Sequence, residues 1–122
     1  MRRALAVAAA ALAVAPLGPA AASSPERVQA SADEFTLALS RLSLRAGPAI
    51  VELVNYGEDD HDLALRRAAR GARTYRIPVV RPGGTGEVEA RLRPGRYAVW
   101  CTLADHRARG MRATLVVGSQ AR

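Results

Sequence analysis

Short runs of alternating apolar and polar residues, cut every eight or so positions by glycine and proline, limit what this chain can fold into. Side chains two apart share one face of a strand. Phe35, Leu37 and Leu39 do so within Glu34 to Ser40, and Leu42 and Leu44 continue the row. A turn at Ala46-Gly47-Pro48 leads to Ala49 to Asn55, apolar enough at Ile50, Val51, Leu53 and Val54 to predict burial on both faces. After a Tyr56 to Asp60 turn, His61, Leu63 and Leu65 share a face. Thr74 to Val80 reads as a strand, Arg81 to Gly84 as a turn, and Glu87 to Leu92 as a strand with Val88, Ala90 and Leu92 inward. Pro94-Gly95 turns the chain into Arg96 to Thr102, and Met111 to Val117 closes the pattern. Arg66 to Arg73 is too short to stand alone as a helix. The expectation is an all-β domain, a single Greek-key β-sandwich or barrel of about seven to eight strands.

The N-terminus reads differently. Met1-Arg2-Arg3, the apolar run Ala4 to Ala15 and the small-residue pattern Ala20-Ala21-Ala22 have the layout of a secretory signal peptide over 1–22. That apolar run falls short of the roughly 20 residues a membrane-spanning helix needs. Export to a periplasm or the cell exterior, with no membrane anchor, is therefore expected. Residues 23–33 are small and polar and read as a flexible lead, 34–118 as the domain, and 119–122 as a tail.

The formal charge is +7, or +5 without Arg2 and Arg3, and every basic residue is arginine. Aromatic residues are only 4% of the chain, too few for a base-stacking platform, so no nucleic-acid partner is expected. An acidic protein fits this balance better.

Cys101 is the only cysteine, and it is followed at four-residue gaps by His106 and Met111. A thiolate, an imidazole and a thioether turned toward one point by a short loop suit copper, and the remaining histidine, His61, would complete a trigonal His2Cys set. Strand periodicity supports this independently. Cys101 ends the row Tyr97, Val99; His61 heads the row Leu63, Leu65; and Met111 heads Ala113, Leu115, Val117. Each residue also has a plain role open to it: Cys101 as a small buried hydrophobe, His61 and His106 as solvated loop histidines, Met111 as core.

These segments resemble the cupredoxins, the plastocyanin and azurin family of small blue-copper proteins. The resemblance is carried by Asn55-Tyr56-Gly57 ahead of His61-Asp62-Leu63, by Arg81-Pro82-Gly83-Gly84, by Leu92-Arg93-Pro94-Gly95-Arg96-Tyr97, and by Cys101, His106, Gly110-Met111 and Leu115-Val116-Val117. It implies one type 1 copper per chain, with His61, Cys101 and His106 in a plane and Met111 as the long axial ligand. Asp62, through its backbone amide, and Thr102, bonded across to Asp62, would support the ligands, together with Asn55. Many relatives carry Pro-Gly just before the second histidine, where this chain has Ala104-Asp105. Arg107, Arg109 and Arg112 stand around that histidine where the family is often apolar, and they are the candidate partner-binding residues.

The implied function is a one-electron carrier, a monomer that meets an acidic redox partner. Copper capture and delivery outside the cytoplasm, or a cupredoxin-like binding module without metal, are the alternatives. An enzyme is not expected, because the proposed centre uses both histidines and leaves none for a second copper site.

Overall fold

The computed structural model describes residues 1, 3–18 and 24–119. Arg2, the cleavage pattern Ala20 to Ala22, the expected mature start at Ser23 and tail residues 120–122 lie outside the described residues. No helix among the described residues is long and apolar enough to cross a membrane.

Among the described residues nine strands form two sheets: β1 (Glu26–Asp33), β2 (Thr36–Leu39), β3 (Ser43–Arg45), β4 (Gly47–Asn55), β5 (His61–Arg67), β6 (Thr74–Val80), β7 (Thr85–Leu92), β8 (Gly95–Trp100) and β9 (Arg112–Gly118). One sheet has the order β2-β1-β4-β7 and the other β3-β9-β8-β5-β6. The β1–β4 and β3–β9 pairs are parallel and the remaining pairs antiparallel. The inward rows of the two sheets meet in one core, with Val28, Val51, Leu53 and Leu92 from the first facing Leu63, Leu65, Ile77, Val99 and Leu115 from the second. Truncating a leucine there to alanine costs about 2–5 kcal/mol.

Two expectations need correction. The segment expected as a flexible lead over 23–33 instead contains β1, paired along its length with β4 from Glu26↔Ala49 to Ala32↔Asn55. Its inward residues include Ala30 and Ala32, both fully buried. Small side chains give a weak apolar signal, yet they fit where two sheets lie close. Glu26 heads that inward row and is held by Arg41 and Arg45, each at 2.6 Å. The Arg45 hydrogen bond is the main reason its carboxyl sits below the usual carboxylate range.

The other correction concerns β4, which alternates fully buried with half-buried residues rather than burying both faces. A second sheet covers only one side of it. The chain also reverses at Glu34-Phe35, where the sequence predicted continuous strand.

The Pro94-Gly95 turn is fixed by its own residues. Gly95 has φ 144°, and Tyr97, buried in the core, accepts the Arg93 backbone N–H through its hydroxyl at 2.9 Å. That corner sets the register in which β8 delivers Cys101 to the opposite end of the sandwich. Past Cys101 the chain forms a tight loop with one short helix, α1 (His106–Arg109), before β9.

Candidate metal centre

His61, Cys101, His106 and Met111 come together at one end of the sandwich. His61 opens β5, where a register irregularity between His61 and Leu63 interrupts pairing with β6. Its side chain is fully buried, with Nδ1 4.0 Å from the Cys101 sulfur. Cys101 follows β8 directly and is also fully buried. His106 opens α1, is half-buried, and places Nδ1 3.6 Å from the same sulfur. Met111 is fully buried; its N–H donates to the His106 carbonyl at 3.0 Å, and its carbonyl accepts the Cys101 N–H at 3.1 Å. The loop that carries three of the four candidate donors is thus closed at its base by backbone hydrogen bonds.

Donor atoms of His61, Cys101 and His106 all lie within 4.8 Å of one another. Thiolate and imidazole bonds to a first-row divalent metal, about 2.3 and 2.0 Å, would set sulfur and nitrogen about 3.7 Å apart in a trigonal plane. The observed 3.6 and 4.0 Å bracket that separation. With the soft thioether of Met111 packed in the same core cluster, the donor set fits one type 1 copper ion better than zinc.

The supporting residues are tied together by hydrogen bonds. Asp62 accepts the Thr102 backbone N–H at 2.6 Å through Oδ1 and the Thr102 hydroxyl through Oδ2, clasping the His61 strand to the Cys101 loop. Burial pushes the Cys101 thiol up, and the Asp62 carboxylate adds to that. The backbone N–H groups of Asp62 and Leu103 act the other way by favouring the thiolate. Asn55, fully buried, donates to the carbonyls of Asp59 (2.7 Å) and Val80 (2.9 Å) and accepts the Gly57 N–H (2.9 Å). Every polar atom of that amide is used to hold the turn leading into His61.

Sequence reasoning missed two residues, Glu34 and Phe35. Glu34 Oε1 lies 2.9 Å from His61 Nε2, on the side of the ring away from the sulfur. The same carboxylate accepts the N–H of Glu58 at 2.9 Å and of Asp59 at 2.8 Å. Those two backbone bonds do most to lower the Glu34 carboxyl from its ordinary value to about 2, with His61 adding to them. Phe35 meets the His106 ring edge-on, centroids 5.1 Å apart, and the Arg109 guanidinium lies over the Phe35 ring at 3.7 Å. No pattern in the chain marks either residue, because their partners lie far away in sequence.

Arg107, Arg109 and Arg112, close after His106 in the chain, are all exposed, and Arg107 lies over Trp100 at 4.5 Å. Asp105 occupies the left-handed region (φ 54°).

No family model matches the sequence, and no curated protein matches it significantly. Solved structures do match. Auracyanin B is 20% identical, with a TM-score of 0.63 over 80% of this chain and 93% of that one. Auracyanin A, a "blue" copper protein from the green thermophilic photosynthetic bacterium Chloroflexus aurantiacus, is 17% identical, with a TM-score of 0.63 over 78% of this chain and 100% of that one. Amicyanin from Paracoccus versutus is 17% identical, with a TM-score of 0.51 over 81% and 86%. The strand order, the two-sheet packing and these likenesses agree that the chain has the cupredoxin fold.

Proposed function

We propose that this protein is an exported, monomeric one-electron carrier that binds one type 1 copper through His61, Cys101, His106 and Met111. The observation that carries the reading is the convergence of two imidazole Nδ1 atoms on one buried thiol at 3.6 and 4.0 Å. Copper bound there supplies a Cu(I)/Cu(II) couple.

The protein's own residues do the rest. The Asp62–Thr102 clasp, the Asn55 turn and the Cys101–Met111 backbone bond hold the donors in one arrangement, so a change of oxidation state demands little movement. His106 is the half-buried member of the set and gives the electron its shortest way to the surface. Arg107, Arg109 and Arg112 around that edge attract an acidic partner, by a force that weakens as salt rises.

Copper delivery is the weaker reading. Cys101 and His61 are fully buried, so an acceptor protein has no direct approach to either.

Voltammetry of the copper-loaded protein is the test of carrier function. A single reversible one-electron wave, with fast exchange against a soluble redox partner, is expected. Irreversible reduction with loss of copper to a chelator would contradict the carrier role.

A further inference from the structure

The geometry points to Glu34 as a positioning residue that holds His61 in its metal-binding tautomer before any metal arrives. This rests on reading His61 as a ligand and adds a role for a residue in a different strand pair. An imidazole has two nitrogens, and the hydrogen bond made by one decides which is free to bind a metal. Glu34 Oε1, 2.9 Å from Nε2, is an acceptor only, so it places the ring proton on Nε2 and leaves the Nδ1 lone pair facing the sulfur.

Two further observations show that this carboxylate is itself held in place. Its oxygens take the N–H groups of Glu58 and Asp59, which belong to the same turn that leads into His61. And Gly57 leaves room for it: a Cβ at that position would lie 2.2 Å from Glu34 Oε1. The corner between β1 and β2 therefore grips the His61 loop through Glu34, and its next residue, Phe35, backs His106. The Gly110 position shows how closely that corner fits, since a Cβ there would lie 2.7 Å from the Phe35 carbonyl oxygen.

A negative charge behind a ligating imidazole strengthens it as a donor and favours the more highly charged metal ion. Glu34 is thus expected to raise Cu(II) affinity more than Cu(I) affinity.

The test uses the full chain, metal-free and then with Cu(II) added, comparing Glu34→Gln, Glu34→Ala and Gly57→Ala with the parent. Long-range proton–nitrogen NMR correlations of the metal-free protein, at mildly alkaline pH, report which His61 nitrogen carries the proton. The parent should show Nε2–H alone. Glu34→Ala and Gly57→Ala should show a mixture of tautomers and lose about 10- to 100-fold in Cu(II) affinity. The potential should rise by about 59 mV for each tenfold loss of Cu(II) relative to Cu(I) affinity. Glu34→Gln should fall between, since its amide oxygen still accepts from Nε2–H while its NH2 group faces the Glu58 N–H, donor against donor.

If Glu34→Ala fails to fold, Gly57→Ala displaces the same carboxylate without removing it. An Nδ1–H tautomer in the parent, or unchanged tautomer and Cu(II) affinity in the variants, overturns the proposal. A parent that shows the expected tautomer but binds no copper supports the positioning role and overturns the copper reading instead.

Discussion

The two histidines of the site have ring centroids 5.1 Å apart, yet they belong to different parts of the molecule. His61 lies at the start of a core strand, sealed from solvent, with a carboxylate behind it and the Asn55 turn ahead of it. His106 sits in a short helical turn, half-exposed, backed by Phe35 and followed closely in the chain by exposed arginines, with no hydrogen bond to its outer nitrogen from any described residue. One side of the site is sealed and the other is open to solvent. The difference teaches where rigidity comes from. The buried polar groups on the His61 side are all hydrogen-bonded, which ties that loop to β1 and β6, whereas the His106 side is steadied by ring contacts and the backbone bonds of its own loop.

The largest effect should come from removing each imidazole in turn. His61→Gly empties a sealed site and should cost the metal-free fold about 2–5 kcal/mol, measured by denaturant unfolding. His106→Gly should cost under about 1 kcal/mol. Added imidazole should restore the copper absorption of His106→Gly at concentrations that leave His61→Gly colourless. Equal rescue would break the contrast between a sealed and an open side.

The acid response comes next and belongs to the His61 side and to Glu26. Both Glu26 and Glu34 have carboxyls lowered in the folded state, Glu34 from 4.5 to about 2. The unfolded chain binds protons more readily at these groups, so their contribution is full above pH 4.5 and falls with pH, that of Glu34 being lost as pH approaches about 2. Unfolding of the metal-free protein followed across that range should show stability falling with pH, and Glu34→Gln should flatten the fall. An unchanged slope would remove Glu34 from the account of this loop.

On the His106 side, replacing Arg107, Arg109 and Arg112 by glutamine should slow oxidation by the anion ferricyanide about three- to tenfold at low ionic strength. Oxidation by a cationic complex should not slow, and the difference should shrink as salt is added. Slowing of both alike would mean that the arginines act on the centre itself and not on the approach to it.

The smallest effect concerns the loop backbone. Asp105→Gly should leave stability within about 0.5 kcal/mol, while Asp105→Ala should cost about 1 kcal/mol, because alanine tolerates the left-handed region less well.

The same contrast explains what could be read from the sequence. The rows ending at Cys101 and beginning at His61 and Met111 were legible because large apolar residues repeat every second position and the core takes them all: Tyr97, Val99, Leu63, Leu65, Leu115 and Val117 are buried. The Cys101–His106–Met111 loop was legible because its donors are rare residue types at short spacing. Strand β1 was not, since Ala30, Ser31 and Ala32 give no such signal and its strand identity comes from pairing with β4. Glu34 was not legible either. A carboxylate at the start of a predicted strand looks like solvent-facing charge until the fold brings it to a histidine 27 positions away. Local pattern and the family resemblance pointed to the candidate ligands and to Asp62, Thr102 and Asn55, whereas Glu34 and Phe35 came only from tertiary structure.

The most direct test is a titration of the metal-free protein with Cu(II), followed by visible absorption. One equivalent should produce an intense thiolate-to-copper band that vanishes on reduction, is absent from Cys101→Ser, and persists in Met111→Leu. A protein that takes up copper with no such band, or gives the same band without Cys101, would contradict a copper centre built on this cysteine and these two histidines.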